Sequence, residues 1–245
     1  MQDPLSGYTT FLVDAANIAR WRPLLETSGR TLYEDSFPVP DERQEFDTLM
    51  DAIAVPTESL TSVAIVTIPE GWDRIDAMLL REFYRKAGAV LCTYGMVRKE
   101  CRKRGIMRSL VTGKGLEMIR SRFGSSLKAV FMEMENPDRV PPPSDTSVIS
   151  PSARQAFFES CGFERIPVKY VQPPLGKDKD FCRDLLLYAL GGAPSDAVKG
   201  FIRAFYDEME KYCPERLLAT FHEEKRRMCV EAEHIEEKIS VKGKV

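Results

Sequence analysis

Phe46, Leu49, Met50 and Ile53 recur at i, i+3, i+4 and i+7, with acidic residues crowding the stretch before them, which predicts a helix with one buried face beginning near Pro40 and Asp41. Ahead of it, residues 8–13 (YTTFLV) read as a short strand, and Ile18, Trp21 and Leu25 as a helix that Gly29 ends. Three apolar runs follow, 62–68, 77–84 and 89–97, separated by PEG and KAG turn chemistry, and they predict an antiparallel meander. A basic stretch, RKECRKRG (98–105), leads into a helix reaching about Arg122 and weakened by Gly113 and Gly115. Residues 127–135 (LKAVFMEME) have strand composition, and 136–150 form a proline-rich loop. Ser150 and Pro151 start a helix over 151–161, with Ala153, Ala156, Phe157 and Cys161 as its stripe and Gly162 as its stop. Two more strands are expected near Val168–Val171 and Asp184–Leu190.

After Gly191 and Gly192 the pattern changes. Val198, Phe201, Ile202, Phe205 and Met209 stripe one helix, and from Pro214 a second carries Leu218, Phe221, Met228, Ala232, Ile235 and Ile239 at roughly heptad spacing, interrupted by Lys225. The order of elements therefore predicts an α/β domain over residues 1–190 and a helical C-terminal extension over 191–245. Amphipathic helices of this length need a partner for their apolar face, either the core of the same chain or a second subunit, and a homodimer through the C-terminal helices is the expectation.

With 245 residues, 43% of them hydrophobic, the chain is long enough for a continuous core. Lys and Arg number 35 against 37 Asp and Glu, so bulk cationic attraction gives no reason to expect nucleic-acid binding. Six cysteines are scattered without a CxxC pair, and His222 and His234 stand twelve apart without matching cysteines, so no metal site is expected. Cys92 and Cys161 read as buried thiols. No run of ~18 apolar residues occurs and the first residues lack a signal-peptide pattern, so the expectation is a cytoplasmic protein with no membrane contact. TGKGLE (112–117) lacks the upstream glycine and the following Ser or Thr of a phosphate-binding P-loop.

The basic stretch between strand and helix holds the sharpest chemistry. A helix start leaves backbone N–H groups unpaired at the positive end of the dipole, which suits phosphate oxygens, and Gly105 permits close approach to the backbone. A solvated basic turn has the same composition.

These residues resemble the GNAT-type N-acetyltransferases. Their pattern V-x-P-x-x-R-G-R-G-I-G-x-x-L aligns without gaps on Val97, Lys99, Arg102, Lys103, Arg104, Gly105, Ile106, Met107 and Leu110, within the Q/R-x-x-G-x-G/A signature. Arg102 and Gly105 match; Met107 replaces the small residue, and Lys99 the proline. A second feature, A-x-x-x-Y-x-x-x-GF, is partly matched by Gly162 and Phe163, with Arg154 in place of Ala and Phe158 in place of Tyr. YEDSFPVPDER (33–43) resembles the segment linking the first two helices in some bacterial members.

The resemblance covers roughly residues 8–190. It implies a mixed, mostly antiparallel sheet splayed between strands 4 and 5 and flanked by helices, with pantetheine in that gap. It places the pyrophosphate of acetyl-CoA on residues 102–108, mainly through the main chain of Arg102, Lys103, Arg104, Gly105, Ile106, Met107 and Arg108, with Val97 beside the pantetheine. The implied activity is direct transfer of an acetyl group from acetyl-CoA, the acyl donor, to a small-molecule or peptide amine. The alternatives are a longer-chain acyltransferase or a noncatalytic CoA-binding or partner-binding module.

The family's proton donor is the tyrosine aligned with Phe158, and a phenylalanine cannot donate. Phe158 falls outside the apolar stripe of its helix and is expected either at the cofactor or in apolar packing. Glu133 and Glu135, two apart on one strand, share a face and are the candidates to take the proton of the attacking amine or to anchor its charge; solvent-facing acids are the alternative. Tyr94 on the neighbouring strand is a third candidate, with aromatic packing as its ordinary role.

Overall fold

The structure is a computed structural model that describes residues 3–39, 43–143 and 149–235. Its elements are β1 (Tyr8–Val13), α1 (Ile18–Leu24), α2 (Arg30–Ser36), α3 (Phe46–Ala54), β2 (Leu60–Pro69), β3 (Ala77–Tyr84), β4 (Ala89–Val97), α4 (Ile106–Thr112), α5 (Lys114–Phe123), β5 (Ala129–Glu135), α6 (Pro151–Ser160), β6 (Phe163–Arg165), β7 (Leu185–Leu190), α7 (Ser195–Met209) and α8 (Leu218–Glu233). The strands form one open sheet in the order β1-β2-β3-β4-β5-β7-β6, with β4 parallel to β5 and the other neighbours antiparallel. This is the expected mixed, mostly antiparallel sheet flanked by helices. The chain divides into two compact units, Met1–Phe83 with Cys92–Ser126, and Tyr84–Leu91 with Leu127–Val245.

In the first unit, α1, α2, α3 and the turn joining α1 to α2 bury Ile18, Leu25, Leu32, Tyr33, Phe46, Met50 and Ile53 together with Ala64, Val66, Met78 and Leu80 of the strands. The stripe Phe46, Leu49, Met50 and Ile53 is buried as its spacing predicts, although the helix begins at Phe46, with residues 40–42 outside the described ones. Gly29 does not end the first helix. It holds a helical conformation (φ −68°) inside a π-helical turn, Leu25–Gly29, that runs on into α2, and it packs against Ile75 and Phe46. The helix expected up to about Arg122 is two helices, broken at Gly113 (φ −100°, ψ −124°). A Cβ at this position would stand 3.1 Å from the Ser109 carbonyl oxygen, and because the helix breaks here the apolar stripe before it does not continue after it.

In the second unit, β5 pairs with β7 so that Glu133 stands opposite Leu187 and Glu135 opposite Leu185. The α7 stripe lies against this unit's own residues: Phe201 stacks on Phe131 at 4.5 Å and meets the edge of Tyr84 at 5.7 Å. Phe221, Met228, Ala232 and Ile235 of the second stripe are buried too, while Ile239 lies outside the described residues. Lys225, the interruption in the heptad pattern, pairs with Asp207 and joins α8 to α7. Among the described residues, most of both apolar stripes is thus buried within this unit.

Two strand expectations are corrected. Residues 168–171 form no sheet strand, whereas Phe163–Arg165 does and pairs with β7. The stretch has the β-branched, aromatic composition of a strand, but Pro167, Pro173 and Pro174 flank it and supply no N–H, and groups on α7 and α8 take its backbone bonds instead. The α6 stripe is corrected in part: Cys161 is buried and Phe157 half-buried as expected, but Ala153 and Ala156 are exposed and Pro151 and Phe158 buried instead, because small alanines lose little by facing outward. Its Ser150 cap is as expected, accepting from the Ala153 N–H at 3.3 Å.

Glu224 of α8 is buried and accepts from Arg183 at 2.6 Å and Arg227 at 2.8 Å. Burial alone would raise its pKa, but the two guanidiniums outweigh burial and hold it below the usual carboxylate value. A depressed folded pKa contributes stability above the unfolded value that is lost as pH falls through the folded one. Thermal melts from pH 7 into the acid range should therefore show a shallower decline for Glu224→Gln than for wild type; parallel declines would contradict the assignment.

Candidate functional site

The signature segment begins where β4 ends. A 3-10 turn (Lys99–Cys101) carries the chain to Arg102, which is extended, then to Lys103 and Gly105, both left-handed at φ +63° and +84°, and into α4. Lys103 occupies a position where the aligned pattern has glycine, and its positive φ shows why. At Gly105 a Cβ would add contact with Pro4 at 3.1 Å to an unfavourable φ, so the position requires glycine twice over. The side chains of Lys103, Arg104 and Arg108 are exposed, Ile106 is buried in the core, and Arg102 Nε donates to the Val97 carbonyl at 3.1 Å.

Met107, the departure from a small residue, has its own accommodation. Its Cε and Sδ lie 3.2 and 3.4 Å from where a Cβ on Gly95 would stand, so the absent side chain of β4 makes room for the large one of α4. Behind the junction, buried Asp76 acts as an anchor that sequence reasoning missed. Its carboxylate accepts from Arg74 Nε at 2.8 Å and the Cys101 thiol at 3.3 Å, and its carbonyl accepts from the Arg98 N–H at 2.9 Å. Burial and then the Asp76 contact push the Cys101 thiol up, so it stays protonated in this network. The Arg74 contact is local, but nothing in RIDA marks the anchoring role, because the Arg98 and Cys101 contacts come from beyond the end of β4, 22 and 25 residues on.

Tyr94 packs edge-on to Tyr33 and Phe37 at 5.1 Å each, and its hydroxyl accepts from the Gln44 N–H at 3.2 Å. That is the aromatic-packing role. Cys92 and Cys161 are buried free thiols.

In the second unit, Glu133 and Glu135 are both partly buried but differently engaged. Glu135 forms an ion pair with Arg154 of α6 at 2.7 Å, so the residue that departs from the family's Ala has a carboxylate partner on β5. Glu133 accepts from the Tyr170 hydroxyl on one oxygen at 2.5 Å and from Gln172 Nε2 on the other at 2.9 Å. A carboxylate offers about four acceptor positions, and donors on both oxygens fix its plane. Phe158 is buried, with its ring against Phe157 at 5.0 Å and Phe163 at 5.8 Å. Tyr188, the phenol on β7, donates to Glu159 of α6 at 3.2 Å and is pushed up to about 12 by burial and then by that carboxylate.

The fold thus gathers Val97 and 102–108 at one junction of the first unit, and places Glu133, Glu135 and Phe158 in the second. Tyr170 and Gln172 went unread in the sequence, since their sole signal was a strand-like composition that turned out to have another cause. Among the described residues no group of three or more His, Cys, Asp or Glu could hold a metal ion, and no helix is long and apolar enough to cross a membrane.

No family model matches this sequence, and no curated protein matches it. Among solved structures, a protein assigned to the GNAT family of acetyltransferases from Bacteroides thetaiotaomicron superimposes with a TM-score of 0.53 at 16% identity, covering 83% of this chain and 96% of the other. The ribosomal-protein-S18-alanine N-acetyltransferase of Escherichia coli gives 0.44 at 13% identity over 75% and 92%. A variant of the spermidine N-acetyltransferase of Vibrio cholerae gives 0.43 at 12% over 75% and 93%. Strand order, the parallel β4–β5 neighbours and the first of these superpositions agree, and the chain has the fold of the GNAT acetyltransferases.

Proposed function

We propose that this protein is an acyl-CoA-dependent N-acyltransferase that moves the acetyl group of acetyl-CoA to an amine by direct attack, with no covalent acyl-enzyme. The observation that carries the reading is the β4–α4 junction, where two left-handed residues, Lys103 and Gly105, open a helix amid Arg102, Arg104 and Arg108. A helix start turns its first backbone N–H groups outward at the positive end of the dipole, and here they meet a cationic surround, which fits the pyrophosphate of a CoA thioester. Val97 would lie beside the pantetheine through its main chain. Glu133, oriented by two donors, receives the proton of the attacking amine directly or through water, and holding thioester and amine together supplies most of the acceleration. Glu135, spent on Arg154, is the lesser candidate.

Phe158 has no proton to give, and it favours a second reading in which the chain binds CoA without turnover. In the first reading the thiolate departs without help from that position, tolerable for a thiol whose cysteine analogue titrates near ~8.5.

Calorimetry with CoA tests the cofactor site. Arg104→Glu reverses an exposed charge at the junction and should weaken CoA about 10-fold, or ~1.4 kcal/mol, with the melting temperature unchanged. Equal affinity in the two folded proteins would contradict the assignment.

A further inference from the structure

Residues 169–172 alternate between two sets of partners. The Lys169 N–H donates to Glu231 at 2.7 Å, and its carbonyl accepts from Arg227 at 2.7 Å. The Val171 N–H meets the Met228 sulfur at 3.3 Å, and its carbonyl accepts from the Tyr206 hydroxyl at 2.7 Å. Odd positions are thus fastened by their backbone to α7 and α8. The even positions send their side chains the other way, Tyr170 and Gln172 each to one oxygen of Glu133. Gln172 is further tied by paired backbone bonds with Cys182, at 2.9 and 3.1 Å.

Resting on the transferase reading, we propose that this strip is a positioning element, in which α7 and α8 hold Tyr170 and Gln172 so that these two positioning residues fix the carboxylate of Glu133 for the acceptor amine. The C-terminal helices then have a part in the reaction without touching substrate. Tyr170 is suited to it: its side chain is almost fully buried, so the ring has little freedom, and burial followed by the Glu133 charge pushes the phenol well above its ordinary value, so it remains a donor throughout the neutral range. An unfixed carboxylate on a flexible side chain spends most of its time out of line with the attacking amine, and small misplacements are costly in rate.

The test is a double-mutant cycle on acetyl transfer. Tyr170→Phe in the full chain should lower kcat at least ~10-fold while leaving the KM for acetyl-CoA unchanged, and in the Glu133→Gln background the same change should lower kcat less than ~2-fold further. Gln172→Met, on the other oxygen, should repeat the pattern and decides the matter should Tyr170→Phe fail to fold. If wild type is active and the effects of Tyr170→Phe and Glu133→Gln multiply independently, the positioning role is overturned while the transferase reading stands. If wild type acylates no amine, the reading fails and the proposal falls with it.

Discussion

Glu133→Gln should lower the rate of acetyl transfer by ~10²–10⁴-fold, the range for loss of a general base, and leave the affinity for acetyl-CoA unaltered. The split follows from the chemistry: the phosphate-binding candidates are main-chain groups of residues 102–108, which the substitution leaves unaltered, whereas the carboxylate of Glu133 is what it removes. The substituted glutamine keeps the size of the native side chain and can still accept from Tyr170, so the packing and the sheet register around Leu187 are preserved. It cannot take a proton. Glu135→Gln should cost far less, since its carboxylate is engaged by Arg154. Steady-state kinetics of both variants check this, and equal rates for Glu133→Gln and wild type across pH would remove Glu133 from the mechanism.

Gly115→Ala should be among the most damaging single substitutions for stability. The break at Gly113 turns α5 so that the Leu110 carbonyl sits where a side chain at 115 would begin: a Cβ there would lie 2.0 Å from Leu110 O, 2.8 Å from its C and 2.9 Å from its Cα. These are backbone atoms and cannot swing aside. The same carbonyl accepts from the buried guanidinium of Arg81 at 2.9 Å, so moving it also disturbs a buried charge. The expected loss is ~4 kcal/mol or more, the exceptional class for a point substitution, which for a chain of this size lowers the melting temperature by roughly 10 °C. A melt within ~2 °C of wild type would show that the α4–α5 turn is not as described.

What the sequence revealed depended on how local each cause was. The stripe Phe46, Leu49, Met50 and Ile53, the Ser150 cap and the strand runs 62–68, 77–84 and 89–97 are set by neighbours within a few residues, and all are present, the last two runs with the expected bounds and the first extended to 60–69. Gly29 and the 168–171 run misled because tertiary partners overrode local preference. Ile75 and Phe46 pack on a glycine that stays helical, and α7 and α8 claim the backbone of a would-be strand. At the candidate site, the signature could be read because a strand, a basic turn and a glycine are consecutive. Asp76, Tyr170 and Gln172 could not, since each reaches its partner across 22 to 39 residues of chain: Arg98 for Asp76, Glu133 for the other two. Arg154 and Met107, which look like departures from the family pattern taken singly, prove to be halves of pairs with Glu135 and Gly95.

The most direct test of the transferase reading is to incubate the 245-residue protein with acetyl-CoA and a panel of small-molecule and peptide amines, following free thiol and confirming the acetylated amine by mass. Thiol release should depend on both the amine and Glu133, with one acetyl group gained per thiol freed. Saturable CoA binding with no amine-dependent thiol release across the panel would contradict the transferase reading and leave a CoA-binding module in its place.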